Sequence, residues 1–86
     1  IYGALAAIMD EDPAEPAVQK LIARHYRHLR NFYEPTLELY RGLGRMYASD
    51  LRFRAHYDKY GKGLAVFLSK GISVFCDWQA LGEGRF

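Results

Sequence analysis

Four tyrosines recur at seven-residue intervals, at Tyr26, Tyr33, Tyr40 and Tyr47. Seven residues are close to two turns of an α-helix, so this spacing places the rings on one side of helical segments. Pro35 interrupts the series and divides it between two helices, because the residue before a proline disfavours helical backbone angles. Rings at this period usually form the core between packed helices, and an aromatic binding surface is the alternative.

Apolar residues recur at steps of three and four along most of the chain, a pattern typical of amphipathic helices, and no segment indicates a strand. The pattern predicts an all-α fold of about five helices. The last helix is apolar on nearly every side, so we expect it to occupy the centre of the domain. The predicted helices span residues 2–9, 14–31, 35–48, 51–59 and 64–81.

Length and composition restrict the chain to one small domain. Its 86 residues can bury one modest core, and its formal charge of +2 is too small to indicate nucleic acid or an anionic membrane by itself. The sequence contains neither an apolar run of ~18 residues nor a signal peptide, so no membrane association is expected. The lone Cys76 is compatible with a reducing compartment, which favours a cytoplasmic protein. Since the chain begins at Ile1 rather than methionine, we expect a piece of a longer protein.

The reactive side chains do not form a recognisable catalytic or metal-binding set. His25 and His28 are three residues apart and could share a helix face in a haem or metal site, but further ligands are scarce. A hydrogen-bonded histidine, in the core or at the edge of a cleft, is the simpler interpretation of His25. Apolar neighbours are expected to raise the pKa of the Cys76 thiol rather than to activate it. We therefore predict no enzymatic activity, no metal and no cofactor.

Two charged patterns have ordinary structural explanations. Glu34 and Glu38 lie one helical turn apart, and Glu38 is expected to pair with Arg41 or Arg45 rather than to act as a catalytic acid or base. The run 24–30, RHYRHLR, mixes basic and aromatic residues as nucleic-acid-binding surfaces do, but the same helix must bury part of this run in the core. Nucleic-acid binding by this run is therefore an alternative, not the leading prediction.

Several segments resemble one family of helical drug-binding domains. The run 39–53, LYRGLGRMYASDLRF, and the run 57–65, YDKYGKGLA, are similar to the central motifs of TipAS-type drug-recognition domains. Upstream, ARHY at 23–26 and NFY at 31–33 are similar to the histidine- and aromatic-rich helix of the same family. The resemblance covers well over half of the chain, with the spacing intact and without a gap.

The resemblance implies a function as well as a fold. TipAS-type domains are effector-binding parts of MerR-like transcriptional activators, so residues 1–86 are expected to form one globin-like domain with a cleft for an amphipathic antibiotic of thiopeptide or albicidin type. A DNA-binding domain and a coiled-coil helix are expected N-terminal to this chain and outside it. We therefore expect DNA contact only through that domain, a homodimeric full-length protein and a monomeric fragment.

The resemblance also implies where a ligand binds and how. Well-known family members carry two cysteines on the third helix, one of which captures thiopeptides covalently, and Pro35 and Gly42 stand at those positions here. Binding is therefore expected to be reversible, on the helix face that carries Gly42, with Tyr40, Leu43 and Tyr47 in the core. The predicted ligand-binding residues are His28, Asn31, Phe32, Tyr33, Pro35, Glu38, Leu39, Gly42, Arg45 and Met46.

Two other functions are compatible with the sequence. A globin-like fold with His25 and His28 suits a haem- or tetrapyrrole-binding module, which a haem titration tests. A purely structural helical interaction domain would use every aromatic residue in its core. That alternative predicts an ordered N-terminus and no stabilisation by ligands, whereas the sensor interpretation predicts that ligand binding orders the N-terminal region.

Overall fold

The computed structural model describes residues 1–82 and shows five α-helices, with no strand in that part of the chain. The predicted all-α fold and number of helices are therefore confirmed. No helix within residues 1–82 is long and apolar enough to cross a membrane. The helices are α1 (Tyr2–Ala7), α2 (Pro16–Leu29), α3 (Leu37–Ser49), α4 (Leu51–Asp58) and α5 (Leu64–Ala80).

α2 begins two residues later than predicted because a turn precedes it. The Asp12 carboxylate accepts a hydrogen bond from the backbone N–H two residues later (2.8 Å). Pro16 then takes the first helical position, where its missing N–H costs nothing. The Gln19 side chain donates to the carbonyl oxygens of Pro13 (2.8 Å) and Gly71 (3.1 Å), so this turn is tied to α5.

α3 begins at Leu37 rather than at Pro35. The Thr36 hydroxyl accepts a hydrogen bond from the Leu39 N–H (3.0 Å) and so caps the helix. Pro35 is buried outside the helix, and its carbonyl oxygen accepts a hydrogen bond from the Tyr26 hydroxyl (2.7 Å). The segment that leads into α3 is thereby held against α2.

The connections on either side of α4 are short. Asp50 ends α3, where its N–H donates to the Met46 carbonyl oxygen (2.9 Å), and its carboxylate accepts a hydrogen bond from the Arg52 N–H (2.9 Å) at the start of α4. Asp50 is therefore both the C-cap of α3 and the N-cap of α4. Gly63, with a φ of 92°, forms the left-handed turn that leads into α5.

α5 lies at the centre of the domain, as predicted. It packs against each of the other four helices, and its residues Leu68 and Ile72 are completely buried. Two glycines permit close packing: a Cβ atom at Gly44 on α3 would lie 3.2 Å from Ile72. A Cβ atom at Gly71 on α5 would lie 3.0 Å from Ile22 on α2. The backbones of these helices approach one another closely because the two positions have no side chain.

The four tyrosines divide between core and surface. Tyr40 and Tyr47 are buried, which confirms their predicted structural role, and Tyr40 packs edge-to-face on Phe75 with ring centroids 5.8 Å apart. Tyr26 is half-buried, whereas Tyr33 is 39% exposed. Since α2 ends before Tyr33, this ring leaves the series that packs inside the domain.

Candidate functional site

One side of α3 faces away from the core and forms an open groove of about 550 Å³. Volumes of roughly 300–1,000 Å³ are typical of sites for small molecules. The groove walls are mostly hydrocarbon, and Glu38 is the charged residue among them. We call this concavity the α3 groove; it is lined by Thr36, Glu38, Leu39, Gly42, Leu43 and Met46.

The α3 groove exists because α3 has two different faces. The face that carries Tyr40 and Tyr47 packs into the domain, whereas Leu39 and Gly42 lie on another face and reach solvent. Leu39 is 46% exposed, so it contributes accessible hydrocarbon to this face of α3. A Cβ atom at Gly42 would meet nothing within 4 Å, so the middle of the groove is open.

The α3 groove contains four of the ten ligand-binding residues predicted from the sequence and two that were not predicted. Thr36 was not predicted as a groove residue because α3 was expected to begin before it. The available signal was that threonine is a preferred N-cap residue. Leu43 follows the spacing of the core face, but it is only half-buried and borders the groove as well. The four predicted residues that the structure brings together are Glu38, Leu39, Gly42 and Met46.

Two of the predicted residues, His28 and Asn31, line a separate pocket at the C-terminal part of α2. This pocket has a volume of about 390 Å³ and is polar. Two of its five lining residues are arginines, whereas the charged residue of the α3 groove is a glutamate. It is lined by Ile1, Arg24, Arg27, His28 and Asn31.

The remaining four predicted residues do not line the α3 groove. Phe32 is 73% exposed and lies with the exposed Tyr33 in the turn after α2. Arg45 is exposed on α3, and Pro35 is buried between α2 and α3. The structure therefore divides the predicted set between the apolar groove, the polar pocket, the segment that connects α2 to α3, and the exposed surface of α3 at Arg45.

The predicted pairing of Glu38 with Arg41 or Arg45 is wrong. One nitrogen of the Arg41 guanidinium, Nη2, lies 2.6 Å from Asp77 Oδ1, and Nη1 donates to Ser73 Oγ (3.0 Å), both on α5. The hydrogen bond to Asp77 raises the pKa of Arg41. Within residues 1–82, Glu38 forms no salt bridge.

His25 is hydrogen-bonded and held in the core, one of the two positions predicted for it. Its Nδ1 lies 2.7 Å from the Tyr40 hydroxyl, which donates to the Ile22 carbonyl oxygen (3.3 Å), and both bonds form when Nδ1 carries the proton. Burial, with a smaller electrostatic contribution from His28, lowers the pKa of His25 to about 4. His25 is therefore neutral near pH 7, and its buried Nε2 has no hydrogen-bond partner among the described residues.

The reactive side chains do not converge on the α3 groove. The Cys76 thiol is buried and donates to the Leu37 carbonyl oxygen (3.4 Å), and burial raises its pKa, the direction expected from its apolar neighbours. In the part of the chain that the structure describes, no three His, Cys, Asp or Glu side chains are arranged to hold a metal ion. The groove therefore offers surface for binding rather than a nucleophile.

A third concavity lies along α4 and was not predicted. It has a volume of about 430 Å³ and combines two aromatic rings with two basic side chains. The signal in the sequence is the pair Phe53 and Tyr57, four residues apart and therefore on one side of a helix. The pocket is lined by Arg52, Phe53, His56 and Tyr57.

These observations define the class of structure: residues 1–82 form a five-helix domain with an open, apolar groove of small-molecule size. The TipAS antibiotic-recognition domain matches residues 1–75, and the chain belongs to this family, as the sequence resemblance predicted.

A relative from the curated proteins is the HTH-type transcriptional activator mta of Bacillus subtilis (strain 168). It is 38% identical over 80 residues, which covers 92% of this chain and 31% of the relative. The chain thus spans less than a third of the length of that relative. No solved structure matches the chain, and the globin-like arrangement of the helices stays a prediction.

Proposed function

We propose that this chain is the non-catalytic, ligand-sensing domain of a MerR-like transcriptional regulator. The observation that carries the proposal is the open apolar α3 groove in a member of the TipAS family. The groove offers hydrocarbon for packing and one carboxylate for orientation, the combination typical of sites for amphipathic small molecules. The proposed ligand class is an amphipathic antibiotic-like molecule, such as a thiopeptide or an albicidin-type compound.

Binding in the α3 groove would be reversible. Gly42 stands where the family resemblance places a capture cysteine, and the Cys76 thiol is enclosed on α5 instead of facing the groove. A Cβ atom at Gly42 would meet nothing within 4 Å, so the position offers room for a ligand. Affinity would come mainly from covering the exposed hydrocarbon of Leu39 and Leu43, since burial contributes about 25 cal/mol per Å² of apolar surface.

Signalling would pass through α1. This helix has six residues, and it enters the core through Leu5 while the Tyr2 ring packs on Tyr57 with centroids 4.9 Å apart. A helix this short is not stable alone, so its structure depends on what it packs against. We propose that the ligand increases the population of the state in which α1 is packed. The change would reposition a DNA-binding domain N-terminal to this chain in a homodimeric regulator.

The proposal is tested by titrating the domain with thiopeptides and albicidin-type compounds, using calorimetry and thermal unfolding together. We expect a saturable response, because ligand at 100 times its Kd stabilises a protein by about 2.7 kcal/mol. The Gly42→Trp variant fills the α3 groove and is expected to lose binding. The matched control is Ala17→Trp, at an exposed position on α2, which is expected to keep it.

Two results would contradict the proposal. Binding that persists unchanged in Gly42→Trp means that the ligand lies outside the α3 groove. A flat response across the whole panel, together with a sharp thermal transition, favours a purely structural helical module.

A further inference from the structure

Glu38 is the charged group of the α3 groove, and no salt bridge within residues 1–82 neutralises it. Its side chain is exposed at the first turn of α3. The rest of the lining is uncharged and includes the hydrocarbon of Leu39, Leu43 and Met46. A carboxylate beside a hydrocarbon wall has the polarity that suits a molecule both apolar and positively charged.

The first arginine after Glu38 on α3 is held away from it. An arginine three residues beyond a glutamate can normally pair with it on a helix. Here Arg41 is bound to Asp77 (2.6 Å) and Ser73 (3.0 Å) on α5. Arg45 lies two helical turns from Glu38 and does not line the groove. The packing of α3 on α5 therefore leaves the negative charge of the groove available to a ligand.

We propose that the α3 groove selects amphiphilic organic cations, with Glu38 as the residue that recognises the charge. This inference rests on the function proposed above and names the ligand class of the same site. The apolar part of the ligand would lie against Leu39, Leu43 and the flexible Met46, and the cationic centre would lie beside the carboxylate. The attraction is electrostatic, so a quaternary cation without hydrogen-bond donors is accepted.

The charge of the rest of the domain helps to identify the group responsible for a preference for cations. The chain has a formal charge of +2, and the pocket at His28 is lined by Arg24 and Arg27. The net charge of the chain therefore provides no general attraction for cations. A measured preference for cations would have to come from a local group, and Glu38 is the carboxylate in the groove.

Three probes with similar phenyl groups separate charge from packing: tetraphenylphosphonium as cation, triphenylphosphine oxide as neutral molecule and tetraphenylborate as anion. Calorimetric titration at low ionic strength is expected to show the tightest binding for the phosphonium and the weakest for the borate. Glu38→Gln is expected to weaken phosphonium binding about two- to fivefold, the range of an exposed ion pair, without changing the affinity for the oxide. Glu34→Gln is the matched control, since Glu34 is also exposed but does not line the groove.

The outcomes separate this inference from the proposed function. Equal affinity for the three probes, or equal losses in Glu38→Gln and Glu34→Gln, overturns cation selection. If the probes and a thiopeptide bind the wild type but not Gly42→Trp, the groove remains the ligand site. In another outcome, the phosphonium fails to bind while an antibiotic binds the wild type and not Gly42→Trp. That result overturns cation selection but leaves the groove as the ligand site. Phosphonium binding that is unchanged in Gly42→Trp overturns both the site and its selectivity.

Discussion

The imidazole of His25 on α2 and the phenol of Tyr40 on α3 form a buried pair, with Nδ1 2.7 Å from the hydroxyl oxygen. The ring of Tyr2, on α1, lies edge-on to the same imidazole with centroids 5.7 Å apart. Three helices therefore meet at one neutral histidine. Adding a proton to this histidine places a charge between them, so their packing depends on pH.

Stability is expected to fall as the pH decreases from about 6.5 towards 4. Burial lowers the pKa of His25 to about 4 in the folded protein, whereas an unfolded histidine titrates near 6.5. Between these values the unfolded chain binds a proton that the folded protein excludes. The contribution is fully present above the unfolded pKa and is lost as the pH falls through the folded pKa, roughly 3 kcal/mol in total.

Urea unfolding of the protein at a series of pH values measures this dependence. His25→Gln is expected to remove the part that comes from the buried imidazole, and His28→Gln, at an exposed position, is expected to retain most of it. An unaltered pH dependence in His25→Gln would show that other groups are responsible.

Removal of the Tyr40 hydroxyl is expected to destabilise the domain by about 1–3 kcal/mol, because Tyr40→Phe leaves the buried Nδ1–H of His25 without an acceptor. The Ile22 carbonyl oxygen also loses a donor. Tyr33→Phe serves as the control, since this ring is partly exposed beyond α2 and a change there is expected to stay within about 0.5 kcal/mol. Chemical denaturation of the two variants provides the comparison, and equal effects would contradict the described pair.

The two glycines of α3 are expected to respond to alanine with opposite signs. Gly42→Ala gains helix propensity, up to about 1 kcal/mol, because its Cβ meets nothing within 4 Å. Gly44→Ala makes the same gain but places a Cβ 3.2 Å from the buried Ile72, and such overpacking typically costs about 1–3 kcal/mol. Thermal unfolding distinguishes the variants, and stabilisation by both would mean that α3 and α5 pack less closely than described.

Asp77→Asn is expected to weaken ligand binding as well as to reduce stability slightly. Its ion pair with Arg41 is partly exposed, so the loss in the free energy of unfolding should stay below about 1 kcal/mol. The released guanidinium can approach Glu38, three residues earlier on α3, and should weaken phosphonium binding about twofold. Ser73→Ala removes a hydrogen bond from Arg41 but no charge, and it is expected to weaken binding less. Equal phosphonium affinities in the wild type and Asp77→Asn would argue against this competition.

The helices of this domain were predictable because their signals are local. Apolar periodicity and the proline break define five helical segments, and the same spacing places Tyr40 and Tyr47 in the core. The starts of α2 and α3 were less predictable, since they depend on side chains such as those of Asp12 and Thr36 that bond to the backbone nearby.

The site was only partly predictable because it depends on contacts between distant residues. Local spacing favours Glu38 as the partner of Arg41, but Asp77, 36 residues away, takes that place. Spacing also could not show that His28 lies in a different pocket from Gly42, since this depends on how α2 and α3 pack. The face of α3 around Gly42 was identified through the family resemblance, which contains information that periodicity lacks.

The positions of Gly42 and Gly44 on α3 have a consequence for how the domain can be altered. In this 13-residue helix, a new side chain at Gly42 meets open space, whereas one at Gly44 on the opposite side meets Ile72 of α5. Residues that meet solvent can therefore be exchanged in combination, as a library, while the buried side keeps the domain folded. A laboratory seeking sensors for new compounds could randomise the outward positions of this single helix and leave the rest of the chain unchanged.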